Sequence, residues 1–99
     1  MILEMAQFEI KPGSEEAFEA AVAQAQPLFL SSNGCRGVQL KRSVEAPSRY
    51  RLLIEWDTLE DHTVTFRGSE NFVQWRALIQ DHLAGKPEVE HFTEALNKS

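Results

Sequence analysis

The sequence predicts an α+β domain in which one antiparallel sheet of four strands carries its helices on a single face. Two periodicities and their order lead there. Apolar residues alternate with polar ones over 2–10 and 50–57, and they recur at three- and four-residue spacing over 18–29 and 72–83. The stretches run strand, helix, strand, strand, helix pair, strand, which is the split β-α-β pattern of ferredoxin-like domains.

Residues 2–10 read as the first strand. Ala6, Phe8 and Ile10 fall on one face, with Leu3, Met5, Gln7 and Glu9 on the other. Leu3 and Met5 make the second face partly apolar, so the sheet needs a cover on both sides. Lys11-Pro12-Gly13 is a turn, and Ser14 is placed to cap a helix opened by Glu15 and Glu16. Phe18, Ala21, Val22, Ala25, Leu28 and Phe29 form that helix's apolar face, and Pro27 is expected to kink it or end it near Gln26. Ser31-Ser32-Asn33-Gly34 is a loop. Val38, Leu40 and Val44 mark the second strand, and Glu45 to Ser48 make a hairpin-length connection. In the third strand Tyr50, Leu52, Ile54 and Trp56 share one face. Thr58 with Asp61 three residues on has capping-box spacing, so a short helix should reach about Phe66 before Arg67-Gly68 breaks it. Ser69 caps the next helix, with Phe72, Trp75, Leu78, Ile79, His82 and Leu83 inward, and Ala84-Gly85-Lys86-Pro87 stops it. Glu88 to Thr93 reads as the last strand, and the tail beyond Glu94 is expected to fray.

Ninety-nine residues make a single domain over 1–99. An apolar share of 42% gives enough surface to offset chain entropy, so the chain is expected to fold. Fifteen acids against ten bases leave a charge of −5 with no basic stripe, which excludes nucleic acid as a partner. No apolar run approaches the ~18 residues of a membrane span. One cysteine cannot form an internal disulfide, and Met1 to Met5 carries no basic start or cleavage site, so a cytoplasmic protein is expected. Cys35 has no activating base beside it in sequence and reads as a packed residue.

Four stretches together resemble the antibiotic biosynthesis monooxygenase family of small α+β proteins. They are Lys11-Pro12-Gly13 with Ser14-Glu15-Glu16, Gly34-Cys35-Arg36-Gly37, Tyr50 to Trp56, and Glu60-Asp61-His62-Thr63 through Phe66, Ser69 and Phe72 to Trp75-Arg76-Ala77-Leu78. The resemblance implies a dimeric α+β barrel, a homodimer whose two sheets meet face to face, with a pocket in each chain between sheet and helices. Members include enzymes that oxidise phenols to quinones without a cofactor and others that degrade haem. The haem-degrading pattern wants Asn, Trp and His where this chain has Ala6, Phe66 and Arg76, so no axial ligand is expected. The phenol-oxidising pattern keeps its strand Trp at Trp56 and its helix Arg at Arg76. It has His62 in place of a Tyr, Arg42 in place of a His and Leu52 in place of an Asn.

The residues read from chemistry lead the same way. An oxygenase without metal or flavin must take its electrons from the substrate, here a small aromatic hydroxy compound that reacts with O₂ once deprotonated. That chemistry needs a base near pKa 7, an apolar cavity and a cation for the anion. His62 is the expected base, Arg76 the expected cation and Trp56 the third catalytic candidate, with Phe8, Leu52, Phe66, Phe72 and Trp75 as substrate-binding walls. No metal or organic cofactor is expected. His82 and His91 read as structural or exposed. Plainer readings stand beside these: His62 as a hydrogen-bonded core histidine, Arg76 facing solvent or pairing with Asp81, and both tryptophans as core. Rival functions are a non-catalytic binding protein, or an isomerase or lyase in which His62 moves protons.

Overall fold

The structure is a computed structural model that describes residues 1–97. Strand β1 (Ile2–Glu9) leads to helix α1 (Glu15–Leu30), then strands β2 (Cys35–Arg42) and β3 (Arg49–Trp56). A π-helical segment (Asp61–Phe66), helix α2 (Glu70–Ile79), a 3₁₀ turn (Gln80–His82) and strand β4 (Glu88–Phe92) complete it. The sheet is antiparallel in the order β2-β3-β1-β4. The fold class read from the sequence is therefore correct.

The alternation in β1 and β3 is what builds the core. Ala6, Phe8, Tyr50, Leu52, Ile54 and Trp56 all bury toward the helices and meet Phe18, Ala25 and Phe29 of α1 and Trp75 and Ile79 of α2. Aromatic rings contact edge-on or tilted through this layer, Phe29 lying 4.8 Å from Trp75 and Phe18 5.0 Å from Tyr50. On the opposite face Met5 pairs directly with Leu53, and Leu3 pairs with Phe92. This face carries no helix among the described residues.

Three local expectations are corrected. Helix α1 does not end at Gln26 but runs through Pro27 to Leu30. Pro27 and Ala23, whose carbonyl loses its partner, both face solvent, so the oxygen is open to water rather than buried. The last turn is held instead by buried Phe29, and by Ser32 and Asn71 side chains that donate to the Leu28 carbonyl at 2.6 and 2.9 Å. Ser14 makes no side-chain cap; Glu15 accepts from the Gly13 N–H at 2.9 Å and from the Ser48 hydroxyl at 2.6 Å. Helix α2 stops at Ile79, several residues before Gly85, because the chain tightens into the 3₁₀ turn there.

The two other caps form as expected. Ser69 accepts from the Phe72 N–H at 3.3 Å. Thr58 and Asp61 exchange hydrogen bonds at 3.1 and 3.2 Å, a reciprocal capping box.

Candidate active site

The sequence of β1 places one acid among apolar residues. Glu4 lies on the face of Ala6 and Phe8, so folding carries its carboxyl inward, where it is 5% exposed. The sheet register then surrounds it. Trp56 on β3 is its diagonal neighbour, two pairs beyond Glu4↔Ile54 on the same face, and His91 on β4 is its direct partner. The indole N–H of Trp56 donates to Glu4 Oε1 at 3.0 Å.

His62 comes from above. The π-helical segment that carries it is pinned at its start by the capping box and by Asn33, whose amide donates to Asp61 at 3.0 Å. Gly34 passes under the same carboxylate with φ +82°, in a space that a Cβ would fill. Widened π turns recur at functional sites because they re-aim a side chain. Here the turn sets the His62 ring, 3% exposed, on the Trp56 indole at 5.4 Å between centroids and 21° between planes. His62 Nε2 is then 3.2 Å from Glu4 Oε1, and Nδ1 is 2.8 Å from His91 Nε2.

Both nitrogens of His62 are therefore occupied within a chain Glu4–His62–His91. Desolvation pushes the Glu4 carboxyl up to about 7, partly opposed by the Trp56 hydrogen bond and by Arg67. Desolvation, Arg67 and His91 push His62 down to about 4. Burial and Arg67 also hold His91 below the usual imidazole value. At neutral pH His62 is thus an uncharged imidazole. When Glu4 is ionised, Nε2–H donates to it and Nδ1 accepts from His91. When Glu4 is protonated, its O–H and the His62 Nδ1–H each donate one step along the chain.

This cluster borders a cavity of about 320 Å³ between the sheet and α2. Seven of the eight predicted residues line it: His62, Arg76, Phe8, Leu52, Phe66, Phe72 and Trp75. Trp56 does not; it is fully buried behind Glu4 and His62. Arg76 does not pair with Asp81; it is exposed on α2, as the plainer reading had it, and also lines the cavity with its guanidinium 5.8 Å from the Phe72 ring centre. His91, expected to be structural or exposed, bonds to His62 because β4 pairs it opposite Glu4. Leu59, three residues before His62, is exposed and takes no part in the cluster.

Sequence reasoning missed Glu4, although its even position in β1 aligned it with Ala6, Phe8 and Ile10. It also missed Arg67 and Lys86 at the cavity wall, which had no periodicity to reveal them. Among the described residues no three His, Cys, Asp or Glu side chains are grouped to hold a metal ion, and no helix is long and apolar enough to cross a membrane.

Comparison with known proteins agrees with this architecture. The model of the family "Antibiotic biosynthesis monooxygenase" matches residues 1–78. The chain is 42% identical over 94 residues to the uncharacterized protein YczJ of Bacillus subtilis, covering 95% of this chain and 99% of YczJ. A solved structure of a candidate antibiotic biosynthesis monooxygenase from Bordetella bronchiseptica superposes with a TM-score of 0.94 at 47% identity, covering 96% of this chain and 97% of that one. SnoaB, a cofactor-independent oxygenase from Streptomyces nogalater, solved as a point mutant, shares the fold with a TM-score of 0.83 at 16% identity, covering 97% and 94%. By family match and by its relatives, the chain belongs to the antibiotic biosynthesis monooxygenase family.

Proposed function

We propose that this protein is a monooxygenase that converts a small phenol to a quinone with O₂, drawing the electrons from the substrate. Family membership supports the monooxygenase reading. The observation that carries the rest is a buried carboxyl, pushed up to about 7 by desolvation, at the edge of an aromatic cavity.

In this reading Glu4, rather than His62, is the general base, because a base works best with a pKa near the operating pH. Glu4 removes the phenolic proton, and the charge of Arg67, which reaches Glu4 and His62 through space, stabilises the ring anion at a distance rather than by contact. Arg76 acts farther out at the cavity mouth. The ring anion gives one electron to O₂, and recombination of the pair forms a carbon–oxygen bond to a peroxide. Loss of the hydrogen on that carbon, with cleavage of the O–O bond, leaves the quinone. The two protons leave with the departing oxygen as water. One phenol and one O₂ give one quinone and one water. His62 and His91 pass the proton between Glu4 and the outer edge of β4, and Trp56 positions Glu4. Phe8, Leu52, Phe66, Phe72 and Trp75 hold the flat ring.

The active form in this reading is a homodimer joined through the sheet face of Leu3, Met5, Leu53 and Phe92. An apolar face of this kind favours a second copy over water.

Oxygen uptake with anthrone-type phenols and naphthols tests the proposal. The expected result is one O₂ consumed per quinone formed, with the rate lost in Glu4→Gln and reduced in His62→Ala. Uptake unchanged in Glu4→Gln removes the carboxyl from the mechanism, and turnover that survives strict anaerobiosis replaces the oxygenase with an isomerase or lyase.

A further inference from the structure

The charges around the cavity run against those of the chain. The protein carries −5 overall, yet three cations, Arg67, Arg76 and Lys86, line this one cavity. Glu4 is the only acid among the described residues that lines it, so the wall carries +2 even with Glu4 ionised (three bases less one acid). The three cations come from three separate places: the end of the π-helical segment, the exposed side of α2 and the loop before β4.

Among the arginines, the lack of a partner is confined to this cavity. Arg36, Arg42 and Arg49 each pair with a carboxylate, at 2.7, 3.4 and 2.6 Å, and Arg51 donates to Gln7. Among the described residues, Arg67, Arg76 and Lys86 form no ion pair and donate no side-chain hydrogen bond to another residue's side chain or backbone. Like charges converging on an apolar hollow repel one another, and a bound anion relieves that repulsion. An aromatic floor with a cationic mouth suits a flat ring bearing negative charge at one end. A volume near 320 Å³ is at the small end of ligand pockets, ~300–1,000 Å³, and admits a small fused-ring molecule.

We propose that Arg67, Arg76 and Lys86 form an anion subsite that holds a carboxylate-type substituent carried by the substrate away from its reacting ring. The inference rests on reading this cavity as the substrate site, and it deepens that reading by naming the substrate's charge. Arginine binds planar carboxylates through two parallel hydrogen bonds, and Lys86 adds a point charge.

The test measures binding, not turnover. Calorimetry compares 2-naphthoate with its uncharged isostere 2-naphthamide, neither of which is a phenol. The expected result is a preference for the naphthoate of about tenfold or more. It weakens as salt is raised and vanishes in the triple variant Arg67→Gln/Arg76→Gln/Lys86→Gln, while the amide binds that variant as before. All three side chains are exposed, and an unchanged unfolding midpoint reports that the variant is folded. Equal binding of the two probes, binding of neither, or a preference that survives in the triple variant overturns the subsite. Because no chemistry is involved, absent oxygen uptake with a retained naphthoate preference rejects the monooxygenase reading alone.

Discussion

The Trp56 indole donates its N–H to the Glu4 carboxylate at 3.0 Å from the neighbouring strand, and both groups are buried. The hydrogen bond opposes the desolvation that raises Glu4. Trp56→Phe removes the donor and keeps an aromatic ring. The expected outcome is a Glu4 midpoint moved upward, with a stability loss of about 1–3 kcal/mol from the unmet carboxyl and the lost volume. Urea unfolding and a carboxyl titration of the variant check both parts.

Glu4 and His62 push the pH dependence of stability in opposite directions. Between pH 4.5 and about 7 native Glu4 keeps a proton that the unfolded chain gives up, so its contribution falls as pH rises. Below 6.5 the unfolded chain binds a proton that native His62 refuses until about 4, so stability falls as pH drops through that window. In the wild type the two slopes largely cancel between 4.5 and 6.5. Glu4→Gln removes the first slope. Its stability is expected to rise from about pH 4 to about 6.5 and then level, gaining on the order of 3 kcal/mol on the wild type between about pH 5 and about pH 8. Urea midpoints across that range measure this; parallel curves for the two proteins contradict it.

Gly34 supports His62 from a distance. An added Cβ at this position comes within 2.0 Å of the Asp61 carboxylate, and φ is +82°. Gly34→Ala is expected to cost about 1–3 kcal/mol and to loosen the π-helical segment. Faster amide hydrogen exchange across Asp61–Phe66, with exchange in β1 unchanged, is the expected signature.

Leu53 pairs with Met5 on the face that carries no helix. If two sheets meet there, Leu53→Lys buries an unpaired charge in the dimer and none in a monomer. Light scattering is expected to give a dimer for the wild type and a folded monomer for the variant. A monomeric wild type at micromolar concentration contradicts the paired-sheet reading.

Most of the fold was legible because its signals are periodic. Two-residue alternation placed Ala6, Phe8, Leu52 and Trp56 inward, and three- and four-residue spacing did the same for Phe18, Phe29, Trp75 and Ile79. Pro27 misled because proline is costly inside a helix, whereas here it lies on the wet side of a last turn anchored by other contacts. The cavity walls were readable for the same reason as the core. Glu4 was not read as a site residue, because attention to apolar positions passes over an acid in their line. His91 carried no local signal, since its place beside Glu4 depends on a pairing between the first and last strands of the chain.

In the proposed mechanism Glu4 is a carboxyl tuned by burial to work at neutral pH. Carbon-13 NMR of the side-chain carboxyls, with the Glu4 resonance assigned by its loss in Glu4→Gln, measures that directly. A midpoint near 7 is predicted. A midpoint at the ordinary value of 4.5 contradicts it and leaves the cavity without its base.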